Sequence, residues 1–257
     1  MKKILITAGP TNEYIDEVMK ITNMSTGRLG IELTNYFLQN KDQVTLIGTR
    51  SIFRNSLFER YQLESNPNFR GIPIETTEDM QLALRQEGKK IYDLVIHSAA
   101  VGDYKPEFTF RMEDLAEELV NAFAEGKITQ EEILTILTNP HCKVNDDTKI
   151  SSYEPNLTVK LTLTPKLISE LRTLFPNATL IGFKLLENVP KKELHQVAQR
   201  LCQKNNMDYI IANDLADLRQ GKHISFLVNK DGYQNIEFHS PQDIYQKVKQ
   251  LPKRETI

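Results

Sequence analysis

Two stretches near the amino terminus carry the residue types that a phosphate-bearing ligand needs. Residues 7–10 read Thr-Ala-Gly-Pro, and residues 25–30 read Ser-Thr-Gly-Arg-Leu-Gly. Gly9 closes a short apolar run, and a loop of small residues lets main chain approach a phosphate at the carboxyl end of a strand. Ser25 or Thr26 can cap a helix beginning near Gly27, whose free N–H groups and dipole favour an anion. Asn23 stands just before that helix and can direct its amide to the same place. The plainer alternative is a glycine-rich strand-to-helix turn that binds nothing. The two stretches do not form a G-x-G-x-x-G fingerprint, which counts against hydride transfer.

Four further stretches carry chemistry. Residues 97–104 read His-Ser-Ala-Ala-Val-Gly-Asp-Tyr behind an apolar strand. Ala99 and Ala100 let a flat or extended ligand lie against the main chain, and Asp103 is a candidate ligand for Mg²⁺ or a hydroxyl. His97 reads as a packed, hydrogen-bonded side chain rather than a base. Residues 146–152 are polar; Lys149 there is surface, unless the loop folds over a triphosphate and offers a point cation to developing charge. Phe183, in Ile-Gly-Phe-Lys, either walls off a nucleobase or packs in the core. Arg200 and Lys204, four apart on one helical face, either grip phosphates or face solvent.

The elements that must position these residues follow from hydrophobic period. Strand-like runs occur at 3–7, 43–47, 94–97, 158–163, 180–183 and 209–212, several of them apolar throughout, as in strands covered on both faces. Helical patterns lie between them at 29–39, 77–85, 165–174 and 191–204, with Thr164 as N-cap and Pro165 at N1 of the third. The expectation is an α/β fold: a Rossmann-like, mostly parallel sheet with helices on both faces. Residues 107–147, with helical pieces at 112–124 and 130–138, predict a helical excursion inserted in a single domain of residues 1–257. Asp231-Gly232 between two apolar runs predicts a C-terminal hairpin, followed by a helix at 241–250.

The chain has 257 residues, 40% hydrophobic and 26% charged, with net charge −2, so nothing draws it generally to nucleic acid or membrane. The two cysteines, Cys142 and Cys202, make no C-x-x-C and read as free thiols. No signal-peptide core follows Met1-Lys2-Lys3 and no run reaches membrane-spanning length, so a cytoplasmic protein is expected.

Together the stretches resemble one family. "TAGPT-x-E-x-ID-x-V" followed by "ITN-x-S-T-G-x-x-G" is similar to the opening motif of phosphopantothenate–cysteine ligases, and "SAAVGDY", "TKI", "IGFK" and "IIAND" follow in family order over nearly the whole chain. The resemblance implies ligation of 4′-phosphopantothenate to L-cysteine through an acyl-nucleotide, with CTP, or ATP, as co-substrate and Mg²⁺ as cofactor, in coenzyme A synthesis. It implies that Asn23 handles the acyl-nucleotide and Lys149 serves activation. Gly9, Ser25, Thr26, Gly27, Ala99, Ala100, Asp103, Phe183 and the helix start Pro165, Lys166, Leu167 and Ile168 then meet the nucleotide, and Arg200 and Lys204 fall near a pair of family lysines when one residue is inserted before Asp208. A homodimer is implied. Met19 and Lys20 stand where the family has arginine after the valine, and Ser151 and Ser152 follow Ile150 in place of lysines. The motif starts at residue 4, so a ligase without a preceding decarboxylase, and without flavin, is expected. The rivals are an NADP-dependent short-chain reductase, with Arg50 at a 2′-phosphate, and a nucleotide-binding module without turnover.

Overall fold

The computed structural model describes residues 1–257 except 125, 127–128, 145–148, 152, 154, 253 and 255–257. The chain divides into two compact units, one of residues 1–11, 23–101 and 165–257, the other of residues 12–22 and 102–164.

The larger unit is built on an eight-stranded sheet. Its strands are β1 (Lys3–Ala8), β2 (Gln43–Thr49), β3 (Phe69–Ile74), β4 (Leu94–His97), β5 (Thr179–Leu186), β6 (Tyr209–Asp214), β7 (Ser225–Asn229) and β8 (Gly232–Phe238). In space they run 3-2-1-4-5-6-7-8; the first six are parallel, and β7 and β8 antiparallel. The chain therefore winds outward from β1 to β3, then returns to the other side of β1 with β4. That reversal is the switch point at which such sheets open a crevice.

Because side chains alternate across a strand, Ile4, Ile6 and Ala8 of β1 enter one apolar cluster and Leu5 the other. Helices α1 (Arg28–Gln39) and α4 (Pro241–Gln250) cover the first face with Leu33, Phe37, Ile244 and Val248. Helices α2 (Thr77–Glu87) and α3 (Lys191–Lys204) cover the second with Met80, Leu84, Leu194 and Ala198. The N-caps are legible: Thr76 and Asp79 form a capping box on α2, and Ser240 accepts the Asp243 N–H ahead of Pro241 on α4. The expected hairpin joins β7 to β8.

The smaller unit contains a hairpin, Asn12–Tyr14 with Lys20–Thr22, and a three-stranded antiparallel sheet. In the latter, Tyr104–Arg111 lies between Lys143–Val144 and Leu157–Leu163. The helices Met112–Ala124 and Gln130–Thr138 form where their periodicity predicts.

Several expectations are corrected. The run at 158–163 pairs antiparallel in the smaller unit, not in the main sheet. The excursion expected at 107–147 spans 102–164 and takes in 12–22 as well. Residues 165–174 form two short turns, Leu167–Ser169 and Leu171–Leu174, with Pro165 outside both; the Thr164 hydroxyl donates to the Gly102 carbonyl instead of capping a helix. Strand β3 was hidden by Gly71 and Pro73, which its place at the sheet edge tolerates.

Candidate active site

The loops after β1 and β4 are stitched together within the larger unit. Gly9 offers its carbonyl to the Ala100 N–H at 2.9 Å, and Pro10 and Ala100 form a parallel bridge beyond the strand ends. The Ser98 hydroxyl donates to the Thr7 carbonyl at 2.7 Å. The Thr7 hydroxyl accepts the Ala99 N–H at 3.2 Å and lies 2.9 Å from Nδ1 of His97. Burial lowers the pKa of His97 to about 4, so the ring is neutral near pH 7, and its contact with Thr7 ties it to the hydroxyl that accepts the Ala99 N–H.

The second small-residue stretch packs on the first. Gly9 and Gly27 both have left-handed backbone, with φ of 79° and 67°, and a Cβ on either would collide with Ile52. A Cβ on Gly30 would collide with that of Ala8. Helix α1 begins at Arg28 with no side-chain cap and no acidic residue in its first turn. Ser25 Oγ accepts the Gly27 N–H at 3.3 Å and Thr26 Oγ1 the Arg28 N–H at 3.4 Å, so both hydroxyls shape the entrance rather than cap the helix. A helix start without a side-chain cap leaves N–H groups free, and such groups favour an anion. Asn23 donates its amide to the carbonyls of both Ala100 and Val101, at 3.1 Å each, and so joins the two loops.

Phe183 lies in β5, half-buried against the first apolar cluster. Leu167 is core, and Ile168 lies against Gly182 of the same strand, where a Cβ would come within 3.2 Å of its Cδ1. Pro165 is half-buried and Lys166 exposed ahead of them. Arg200 and Lys204 are exposed in the carboxyl half of α3, the end that leads into the start of β6 rather than the carboxyl ends of the strands.

Asp103 and Lys149 belong to the smaller unit. Asp103 is exposed, and its carbonyl accepts the Thr164 N–H at 3.1 Å. Of the polar loop at 146–152, residues 146–148 and 152 lie outside the described residues; Lys149 is exposed and Ile150 buried. The main chain of Ile150 is tied to Asp16 across 134 residues, a link that no local pattern announces. Among the described residues no three His, Cys, Asp or Glu side chains gather as a metal cage. A Mg²⁺ carried by a triphosphate needs only one or two carboxylates besides phosphate oxygens.

The reductase features find other partners. Arg50 Nη1 lies 3.7 Å from Glu75, and the Tyr-x-x-x-Lys that a short-chain reductase would need at its cofactor occurs only from Tyr245 to Lys249 in α4, where Tyr245 is 7% exposed in the core and stacked on Tyr36 at 5.4 Å.

The model of the DNA/pantothenate metabolism flavoprotein C-terminal domain matches residues 1–114 and 138–253. The chain belongs to this family. Among its relatives is the coenzyme A biosynthesis bifunctional protein CoaBC of Thermococcus kodakarensis, 31% identical over 234 residues, which cover 90% of this chain and 45% of that protein. The Bacillus subtilis protein of the same name is 26% identical over 90% of this chain and 46% of its own length. The chain thus spans about half the length of the curated relatives it matches. The crystal structure of the DNA/pantothenate metabolism flavoprotein from Streptococcus pneumoniae superposes with a TM-score of 0.76 at 32% identity, covering 96% of both chains. A structure of Cab2 in complex with phosphopantothenate-cysteine shares the fold, with a TM-score of 0.61 at 16% identity over 96% of this chain and 87% of that one. No helix among the described residues is long and apolar enough to cross a membrane.

Proposed function

We propose that the chain joins 4′-phosphopantothenate to L-cysteine through an acyl-nucleotide, with CTP as the nucleotide and Mg²⁺ as its counter-ion. The observation that carries this reading is the stitched pair of loops at the β1/β4 switch point, closed by Asn23 on Ala100 and Val101, in a family whose relatives serve coenzyme A biosynthesis. A carboxylate resists attack by an amine until one oxygen becomes a good leaving group. In the first step a carboxylate oxygen of 4′-phosphopantothenate attacks the α-phosphorus, the bond to the β-phosphate bridge breaks, and pyrophosphate leaves. In the second the cysteine amine attacks the acyl carbon, loses a proton, and CMP departs with the former carboxylate oxygen.

Each group has a role in this scheme. Gly9, Ala99 and Ala100 let phosphate and acyl groups lie on main chain, and Ser25, Thr26 and Gly27 shape the α1 terminus that faces an anion. Asn23 holds the two loops in register for the acyl-nucleotide. Lys149 supplies the cation for charge building on the triphosphate, and Asp103 the carboxylate for Mg²⁺. Pro165 to Ile168 and Phe183 border the base; Arg200 and Lys204 are nucleotide contacts on the strength of resemblance. The enzyme is cytoplasmic and works as a homodimer.

Pyrophosphate release, measured with 4′-phosphopantothenate, Mg²⁺ and each of the four nucleoside triphosphates before cysteine is added, tests the reading. CTP should give the fastest release. Release with none of the four overturns it; NADPH oxidation in its place favours a reductase.

A further inference from the structure

The Ile-Asp pair at residues 15 and 16 belongs to the opening motif, yet neither step of the ligation uses it. Asp16 sits in the turn of the hairpin Asn12–Tyr14 with Lys20–Thr22 and is 6% exposed. Its Oδ1 accepts the N–H groups of Val18 at 2.7 Å and Met19 at 2.6 Å. Its Oδ2 accepts the N–H of Ile150 at 3.0 Å, on the residue next to Lys149. Ile150 is 4% exposed, so its N–H has lost water and needs this acceptor. Both carboxylate oxygens are therefore committed to main chain, one to its own turn and the other to the base of the lysine loop.

We propose that Asp16 is a positioning residue, whose carboxylate fixes the main chain at Ile150 and thereby the stance of the Lys149 ammonium during nucleotide activation. The inference rests on the role given to Lys149 above. Three N–H donors on one side chain call for an ionised carboxylate: asparagine has a single acceptor oxygen, and its NH₂ group would face an N–H on one side. The hydrogen bonds from Met19 and Ile150, with the Lys149 charge as a smaller contribution, lower the pKa of Asp16, so the acceptor stays ionised at neutral pH.

Asp16→Asn separates the two functions. Its amide oxygen can keep the Val18 and Met19 bonds while its NH₂ group turns to Ile150 and opposes that N–H. The variant should retain the fold and a nucleotide KM within twofold of wild type, while the rate of pyrophosphate release falls at least tenfold. Asp16→Asn combined with Lys149→Ala should be no slower than Lys149→Ala alone. Amide hydrogen exchange gives a readout that needs no catalysis: Ile150 should be protected in the wild type and should exchange at least tenfold faster in Asp16→Asn, with Val18 and Met19 little changed. A normal rate in Asp16→Asn beside a dead Lys149→Ala overturns the positioning role alone. A normal rate in Lys149→Ala overturns the lysine assignment and the positioning role with it. Unprotected Ile150 in the wild type overturns the tether even if the variant does not fold.

Discussion

In the larger unit Leu5 and Ile6 of one strand reach separate apolar clusters, each continuous with residues from two long helices. In the smaller unit the apolar cluster among the described residues is Phe108, Phe110 and Leu115, while Val120 and Phe123 on the helix Met112–Ala124 stand 65% and 54% exposed. What fixes that unit locally is a set of polar ties: Asp16 to Ile150, Glu118 to the N–H groups of His141 and Cys142, Thr164 to Gly102. Where packing is deep, a side chain is replaced at a cost to the whole fold. Where single polar ties dominate, a replacement acts first on the loop that the tie holds.

Substitutions in the two units test this contrast. The largest effect is expected at Ile6, which is fully buried between β2 and β4: Ile6→Ala should cost about 2–5 kcal/mol in denaturant unfolding. Next comes His97. Its pKa is about 4 when folded, against roughly 6.5 in an unfolded chain, so the unfolded state takes up the extra proton between these values. The stabilisation is complete above pH 6.5 and fades as pH falls toward 4, by about 3 kcal/mol. His97→Gln should flatten that slope in urea titrations run across the range. Gly30→Ala drives a methyl against Ala8 in the sheet and should cost about 1–3 kcal/mol, read as a drop in thermal midpoint. The smallest change is expected in the smaller unit, where Phe123→Ser should move stability by no more than about 0.5 kcal/mol. A larger loss there would mean that its exposed apolar residues meet something in solution.

Most strands of the sheet and most of its helices were legible because their signals are local. Asp231-Gly232 marks the last hairpin, Ser240-Pro241 starts α4, and the strands of the sheet interior are continuous apolar runs. What escaped is what depends on partners distant in sequence. Pro106 disguised the strand Tyr104–Arg111, which accommodates it beside a register shift. Thr164 looked like an N-cap, but its hydroxyl serves a carbonyl 62 residues away. Small residues at 9, 27, 99 and 100 pointed to a close approach by ligand, and the 3-2-1-4 order explains how 9 meets 100. The carbonyls that hold Asn23, 77 and 78 residues on, and the role of Ile52 beneath Gly9 and Gly27, have no signature in spacing or composition.

The central claim is that the substrate carboxylate is activated as an acyl-nucleotide, and oxygen transfer tests it directly. 4′-Phosphopantothenate labelled with ¹⁸O in both carboxylate oxygens is incubated with CTP, Mg²⁺, cysteine and the protein. Mass spectrometry should then find one ¹⁸O in the CMP phosphate and one in the new amide. Product formed with unlabelled CMP, or with the label in pyrophosphate, would contradict the account.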